Sequence, residues 1–283
     1  MIILNEKEFA EDCINNGRIT GKISSVLMII AKYYYHHLGF KKKKTSLLLM
    51  EFLKKNYPHY EDNELKWNDI INHITNKAGN YPLYEIDGVW ITQAELATIE
   101  SLHNNLLERL AFTFLCLAKL SNIKNEQNNG WVRQEDKEIF TLARIACGIK
   151  DRDIKIGTLR NLGLLEFAKR IDNLSCRVTF IDDESEKVFQ VCDFRELGYE
   201  YLKYKGGNYI RCADCGILTK GNKSGTKRYC SSCAQYTLKE SKTVKCVDCG
   251  ISFEVAGNNK RTVRCPHCQL EHTRDLDRQR KLK

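Results

Sequence analysis

Four Cys-x-x-Cys pairs crowd into the end of this 283-residue chain: Cys212 with Cys215, Cys230 with Cys233, Cys246 with Cys249, and Cys265 with Cys268. Fourteen residues separate the first two pairs and fifteen the last two. The run Cys-Ala-Asp-Cys-Gly-Ile at 212–217 returns as Cys-Val-Asp-Cys-Gly-Ile at 246–251, a repeat of 34 residues. Segments this short cannot bury enough apolar surface to fold alone, so something must staple them. Two residues between cysteines let one tight turn aim both sulfurs at a single ion, about 2.3 Å from each. Two such turns, held face to face by a hairpin, complete a tetrahedral four-sulfur shell. Gly216 and Gly250 stand directly after the first pair of each set, where turn closure needs positive φ. A shell with no open position is structural rather than catalytic, and folding then waits on the metal. Regular knuckles with glycine suit zinc better than an iron–sulfur cluster. A thioredoxin-like redox pair would need a βαβ setting that is missing. The expectation is two structural Zn²⁺ ions, with His267 exposed rather than ligating.

These units resemble the zinc-ribbon class, a resemblance that covers about 60 residues. It implies either nucleic-acid handling or protein docking, and charge discriminates between them. From Lys205 onward there are 17 Lys and Arg against 7 Asp and Glu, whereas the first 204 residues carry 28 against 29. The net charge of +9 therefore sits in the cysteine-rich end, which points to a polyanionic partner. The loop of the first ribbon carries Lys220, Lys223, Lys227, Arg228 and Tyr229; that of the second carries Lys260, Arg261 and Arg264. Basic residues beside an aromatic suit phosphate contact and base stacking. Gly221 to Lys227 is glycine-rich but lacks the spacing and the strand–loop–helix setting of a phosphate-binding loop.

The remaining five cysteines (Cys13, Cys116, Cys147, Cys176, Cys192) are scattered singly and read as small buried hydrophobes. An odd cysteine count, with Glu6, Glu8 and Glu11 near the start, argues against a secreted disulfide scaffold. A reducing cytoplasm fits. No apolar run approaches the roughly 18 residues of a membrane span.

The chain reads as mainly α with small β. Residues 1–90 read as a helical N-terminal domain, with apolar positions at helical spacing (Val26, Ile29, Ile30, Tyr33; then Leu48, Leu49, Phe52, Leu53). Lys41 to Lys44 falls between two helices. Tyr84 to Ile91 alternates like a strand pair turning at Asp87-Gly88. Thr92 with Glu95 is a capping box opening a helix that runs to about Leu120. A turn at Asn128 to Gly130 and the strand Trp131-Val132 come next. Then follow a helix over 134–147, a second near 152–162 with Ile154, Leu159 and Leu162 inward, and a hairpin from Gly163 to Ile181.

That order resembles a winged helix, a helix-turn-helix variant with a β-hairpin wing, over 92–183. The resemblance implies a recognition helix presenting Arg152, Lys155, Thr158 and Arg160, and a wing offering Lys169, Arg170 and Arg177 to phosphates. Asp151 and Asp153 beside that face leave DNA and protein equally open as its partner. Residues 184–208 form a connecting segment that packs the hairpin and the first ribbon onto the body. The ribbons occupy 209–236 and 243–270, and 271–283 is a basic tail.

Leu110 to Lys119, Gly130-Trp131-Val132 and Asp193 to Tyr199, together with the ribbons, are similar to uncharacterised proteins of phages and mobile elements of low-GC Gram-positive bacteria. That group implies a setting but no activity. No HExxH, nuclease-spaced carboxylates or Ser/His/Asp arrangement is present, so no enzyme is expected. The expected function is a non-enzymatic DNA-binding protein, a transcription regulator or a replication or recombination accessory factor. Alternatives are a protein-docking adaptor engaging a host polymerase or defence complex, and binding of single-stranded RNA or DNA stacked on Tyr209, Tyr229 or Tyr236. Neither a membrane nor a small-molecule substrate is expected.

Overall fold

The computed structural model describes all residues except 1, 18, 20–21, 58–59, 61–62, 169–174, 238–240, 257–261 and 282–283. They divide into two units, Met1–Gly207 and Asn208–Lys283. The architecture is mainly helical with small antiparallel sheets, as expected.

The first unit begins with four helices, α1 (Glu6–Asn16), α2 (Ile23–His36), α3 (Lys42–Asn56) and α4 (Glu64–Ala78). α2 is the centre of this group because Val26, Leu27 and Ile29 to Tyr34 are buried, with Met28 half-buried between them. Leu49, Phe52 and Leu53 of α3 and Ile71 and Ile74 of α4 pack into the same core. Burying α2 on all sides takes Lys32 inside, and its ammonium is paired there with the Glu6 carboxylate. The lysine run at 41–44 is the start of α3.

The strand pair expected at 84–91 does not form. β1 (Val89–Thr92) instead pairs antiparallel with β5 (Lys187–Val191), almost a hundred residues later. Glu85 instead makes an isolated bridge to Asn5. The capping box is present: Thr92 Oγ1 accepts from the Glu95 backbone, and Glu95 Oε2 accepts from the Thr92 backbone at 2.9 Å. The helix it opens is short, however. α5 (Gln93–Glu100) ends before His103, at φ 45°, and α6 (Asn105–Lys124) restarts with Asn104 accepting from the backbone of Leu106 and Leu107. One expected helix is two, because an asparagine cap competes with continuation.

Leu110 to Leu120 of α6 are buried all round, so α6 is the axis of the second core. Around it lie β2 (Trp131–Val132), α7 (Asp136–Leu142), α8 (Ile149–Asn161), β3 (Leu165–Phe167) and β4 (Cys176–Val178). The three strands form one sheet in the order β2-β4-β3, with Trp131 opposite Arg177 and Leu165 opposite Val178. The helix, strand, helix, helix, hairpin order is therefore present, with α7 shorter than expected.

α9 (Leu197–Tyr204) closes the unit against α6, and Tyr201 donates to Glu108 at 2.8 Å. Gly198 lies directly on the backbone carbonyl of Ala143, where no side chain fits. The adjacent Arg144 sits at φ 55° with its guanidinium on the Glu196 carboxylate. Of the scattered cysteines, Cys13, Cys116 and Cys176 are buried as expected, but Cys192 is exposed, beyond the end of β5.

Candidate metal centres and basic loops

In the second unit each cysteine set is built the same way. β6 (Tyr209–Arg211) and β7 (Leu218–Lys220) form a hairpin whose turn carries Cys212 and Cys215. α10 (Ser231–Thr237) brings Cys233 back beside Cys230. The second set repeats this with β8 (Ser241–Lys245), β9 (Ser252–Ala256) and α11 (Pro266–Lys281). The first pair of each set thus lies in a turn, as expected, while the second pair straddles the start of a helix. Most of the expected basic tail is the continuation of α11.

The sequence repeat is reproduced bond for bond. The amide of Cys212 donates to Ile217 and that of Gly216 to Cys212, both at 2.9 Å; Cys246 to Ile251 and Gly250 to Cys246 match them at the same length. Gly216 and Gly250 have φ of 68° and 72°, the left-handed conformation anticipated for them.

The four sulfurs of each set, Cys212/Cys215/Cys230/Cys233 and Cys246/Cys249/Cys265/Cys268, lie within 4.8 Å of one another. Sulfurs about 2.3 Å from a tetrahedral ion stand about 3.8 Å apart. Cys215 and Cys230 are 3.8 Å apart, and Cys249 and Cys265 3.7 Å. Either group can therefore hold one metal ion. Backbone amides prepare the anionic shell: Cys265 donates to the Cys246 sulfur at 3.3 Å and Cys233 to the Cys230 sulfur at 3.4 Å. Burial pushes the Cys212 thiol up, but amides of Cys215, Cys230 and Asp214 outweigh it and bring it to about 6. Amides of Cys265 and Cys249 likewise lower Cys246 to about 6. Cys233 and Cys268 are pushed up, Cys233 by hydrogen bonding to Asp214 first and Cys268 by its neighbouring thiols, so they hold protons that a metal has to displace. His267 is exposed beside Glu271 and is not part of either four-sulfur group.

The two sets differ in cover. In the second, Cys249 is exposed while its three companions are buried; in the first, Cys215 and Cys230 are half-buried. The second also exposes Val247 (62%), Ile251 (64%) and Val263 (43%) around its turn, joined by the Val247 amide donating to Val263.

Comparison with protein-family models, with curated proteins and with solved structures finds no match to this chain.

Among the described residues, the basic side chains anticipated as contacts separate into exposed and occupied groups. Lys220, Lys223 and Arg228 are exposed around the first loop. That loop is held by Asn222, which accepts from the Lys227 amide and donates to Ser224 and Thr226, and by Asn208, which donates to the Asn222 carbonyl. Lys227 is a strap rather than a contact, since its ammonium donates to the Lys220 carbonyl at 2.6 Å. Arg264 is paired with Asp248 at 2.7 Å. Arg211, which sequence reasoning passed over, is exposed on β6, signalled only by its place directly before Cys212. Lys260 and Arg261 lie outside the described residues, as do Lys169 and Arg170 of the wing.

The expected reading face of α8 is not assembled as predicted. Arg152 is turned inward, half-buried with its guanidinium 5.9 Å from the Phe140 ring. Lys155 and Thr158 are half-buried, and Thr158 donates to the Ile154 carbonyl in its own helix. Only Arg160 is exposed, lying over the Phe167 ring. Leu159 is buried as expected, but Ile154 and Leu162, also expected inside, are 65% and 56% exposed, and Ile156 takes an interior place instead. Arg177 is paired with Glu166 at 3.1 Å and donates to Asn129. No helix among the described residues is long and apolar enough to cross a membrane.

Proposed function

We propose that this is a non-enzymatic nucleic-acid-binding protein in which two zinc ions fold paired ribbons and the first ribbon's loop contacts phosphates. The observation that carries the reading is the hydrogen-bonded loop that leaves Lys220, Lys223 and Arg228 exposed while the metal shell fixes its two ends. Pre-ordered cations lose little entropy on meeting a polyanion, and each neutralised phosphate releases counterions. An all-thiolate donor set on regular glycine-closed knuckles favours zinc over an iron–sulfur cluster. The winged-helix-like segment is a scaffold in this reading, since its helix presents aliphatic and mixed-charge residues instead of a basic surface. DNA-linked regulation or replication in a phage or mobile element is the proposed setting.

The test is binding of metal-loaded protein to duplex DNA, single-stranded DNA and RNA between roughly 50 and 200 mM salt, where phosphate contacts show. Affinity is expected to fall steeply with salt. Lys220→Ala, Lys223→Ala and Arg228→Ala together are expected to weaken every sequence alike. Flat salt dependence, or unchanged affinity of the triple variant, refutes the reading. Preference for single strands would favour the RNA or single-strand alternative. A second reading, a protein-docking adaptor, is favoured by the aliphatic patch of Val247, Ile251 and Val263 on the second ribbon, since exposed apolar clusters mark interaction surfaces.

A further inference from the structure

α8 carries an exposed face that the other described residues of its unit leave uncovered. Lys150, Ile154, Gly157 and Asn161 follow one another at spacings of four, three and four, which places them in a single line along the helix. Ile154 is 65% exposed and Ile149, at the same helix's start, 74%. Gly157 is the anomaly. Mid-helix glycine weakens a helix relative to alanine, yet a Cβ here would meet nothing within 4 Å, and φ is not in the left-handed region. Nothing among the described residues needs this glycine. A missing side chain on an outward helix face admits a second backbone at close range.

Charge identifies what approaches. Asp153 and Arg160 are exposed on one flank of this line, and neither forms an ion pair among the described residues. They are seven residues apart, two helical turns or about 10.5 Å, too far to meet within one helix. A two-fold axis between Ile154 and Gly157 changes that. Antiparallel pairing then sets Ile154 over Gly157 of the second copy, Lys150 beside Asn161, and Asp153 beside Arg160, each contact occurring twice. The face is complementary to itself: a knob meets its hole and an acid meets its base under one rotation.

We propose that α8 is a self-association surface through which two copies of this chain pair antiparallel about Ile154 and Gly157. This goes beyond the nucleic-acid reading and stands without it. A dimer would double the number of basic loops on one assembly and raise avidity for a long polyanion. The face is only about 20 Å long, at the small end for a specific interface, so association is weak, in the range of tens of micromolar.

The experiment is sedimentation of the full-length, metal-loaded, nuclease-treated protein across concentration. The expected result is a monomer–dimer equilibrium. Asp153→Arg is expected to abolish it, because Arg160 of the second copy then faces a like charge. Asp153→Arg combined with Arg160→Asp is expected to restore it, a rescue that only self-pairing predicts. Gly157→Ala separates association from folding: thermal stability should rise or hold, since Ala favours helix, while dimer affinity falls about tenfold or more. Monomer throughout to roughly 100 µM, association indifferent to Asp153→Arg, or failure of the charge swap to restore it would each overturn the proposal.

Discussion

Lys119 donates to Glu95 across 2.7 Å with both side chains buried. Glu95 also accepts from the backbone of Thr92 at 2.9 Å and of Asp182 at 3.0 Å, so one carboxylate caps α5, fixes the approach to β5 and neutralises α6. Lys119 has a second partner in Asp183, which is largely exposed.

Removing one member of such a pair strands the other charge. Glu95→Gln or Lys119→Met is expected to destabilise the first unit by about 3–5 kcal/mol, and the double replacement by less than the sum. The three tryptophans, Trp67, Trp90 and Trp131, all lie in that unit, so urea unfolding followed by tryptophan fluorescence reads it directly. Additive losses would show the two residues to be uncoupled.

Metal removal is expected to act on the second unit alone. Purified protein should contain two equivalents of zinc, and Cys230→Ser one. Excess chelator should unfold Asn208–Lys283, because structural zinc contributes roughly 10–16 kcal/mol of folding free energy in such modules. The tryptophan transition should not move. Loss of that transition on chelation would tie the first core to the metal.

Gly198→Ala is expected to cost about 3 kcal/mol, since its Cβ would overlap the Ala143 carbonyl and neither backbone can withdraw. Tolerance of alanine, measured by the same unfolding transition, would mean that α9 is not seated on the end of α7.

Burial pushes the thiols of Cys13 and Cys176 up to about 11, with Asp12 and Asp136 adding to the shift, and holds Cys116 well above its ordinary range. These groups stay protonated in the folded chain after an unfolded chain has ionised. Stability of the first unit should therefore be complete below the ordinary thiol value of 9.0 and decline as pH rises from there through about 11. In the metal-loaded protein at pH 8, alkylation should mark Cys192 ahead of these three. Rapid labelling of Cys116 in the folded state would contradict its burial.

What could be read from the sequence was what is local. The Thr92/Glu95 capping box, the glycines at 216 and 250 and the eight sulfurs are each decided within a few residues, and all are found as read. The pairing of β1 with β5 was hidden because hydrogen bonds between strands so far apart leave no trace in either segment, and Asp87-Gly88 offered a nearer, false turn. Ile154 and Leu162 were misassigned to the inward face of α8, though Leu159 was not, for a related reason. Its apolar residues at 149, 154, 156 and 159 are spread around the helix, so packing against α6 chooses between them and the pattern cannot. Which cations are occupied, as with Lys227, Arg264 and Arg177, depends on partners that only the folded chain supplies.

The sulfur shells carry one more consequence. Four thiolates around a divalent ion leave a dianion, so two filled shells subtract four charges from a segment whose side chains otherwise give a surplus of ten basic groups. The surplus left to face a partner is then about six. Stripped of metal and with its thiols protonated, the second unit is more cationic than when folded. It would then cling to any polyanion with greater force and less discrimination, so strength of adhesion alone would report the wrong state as the active one.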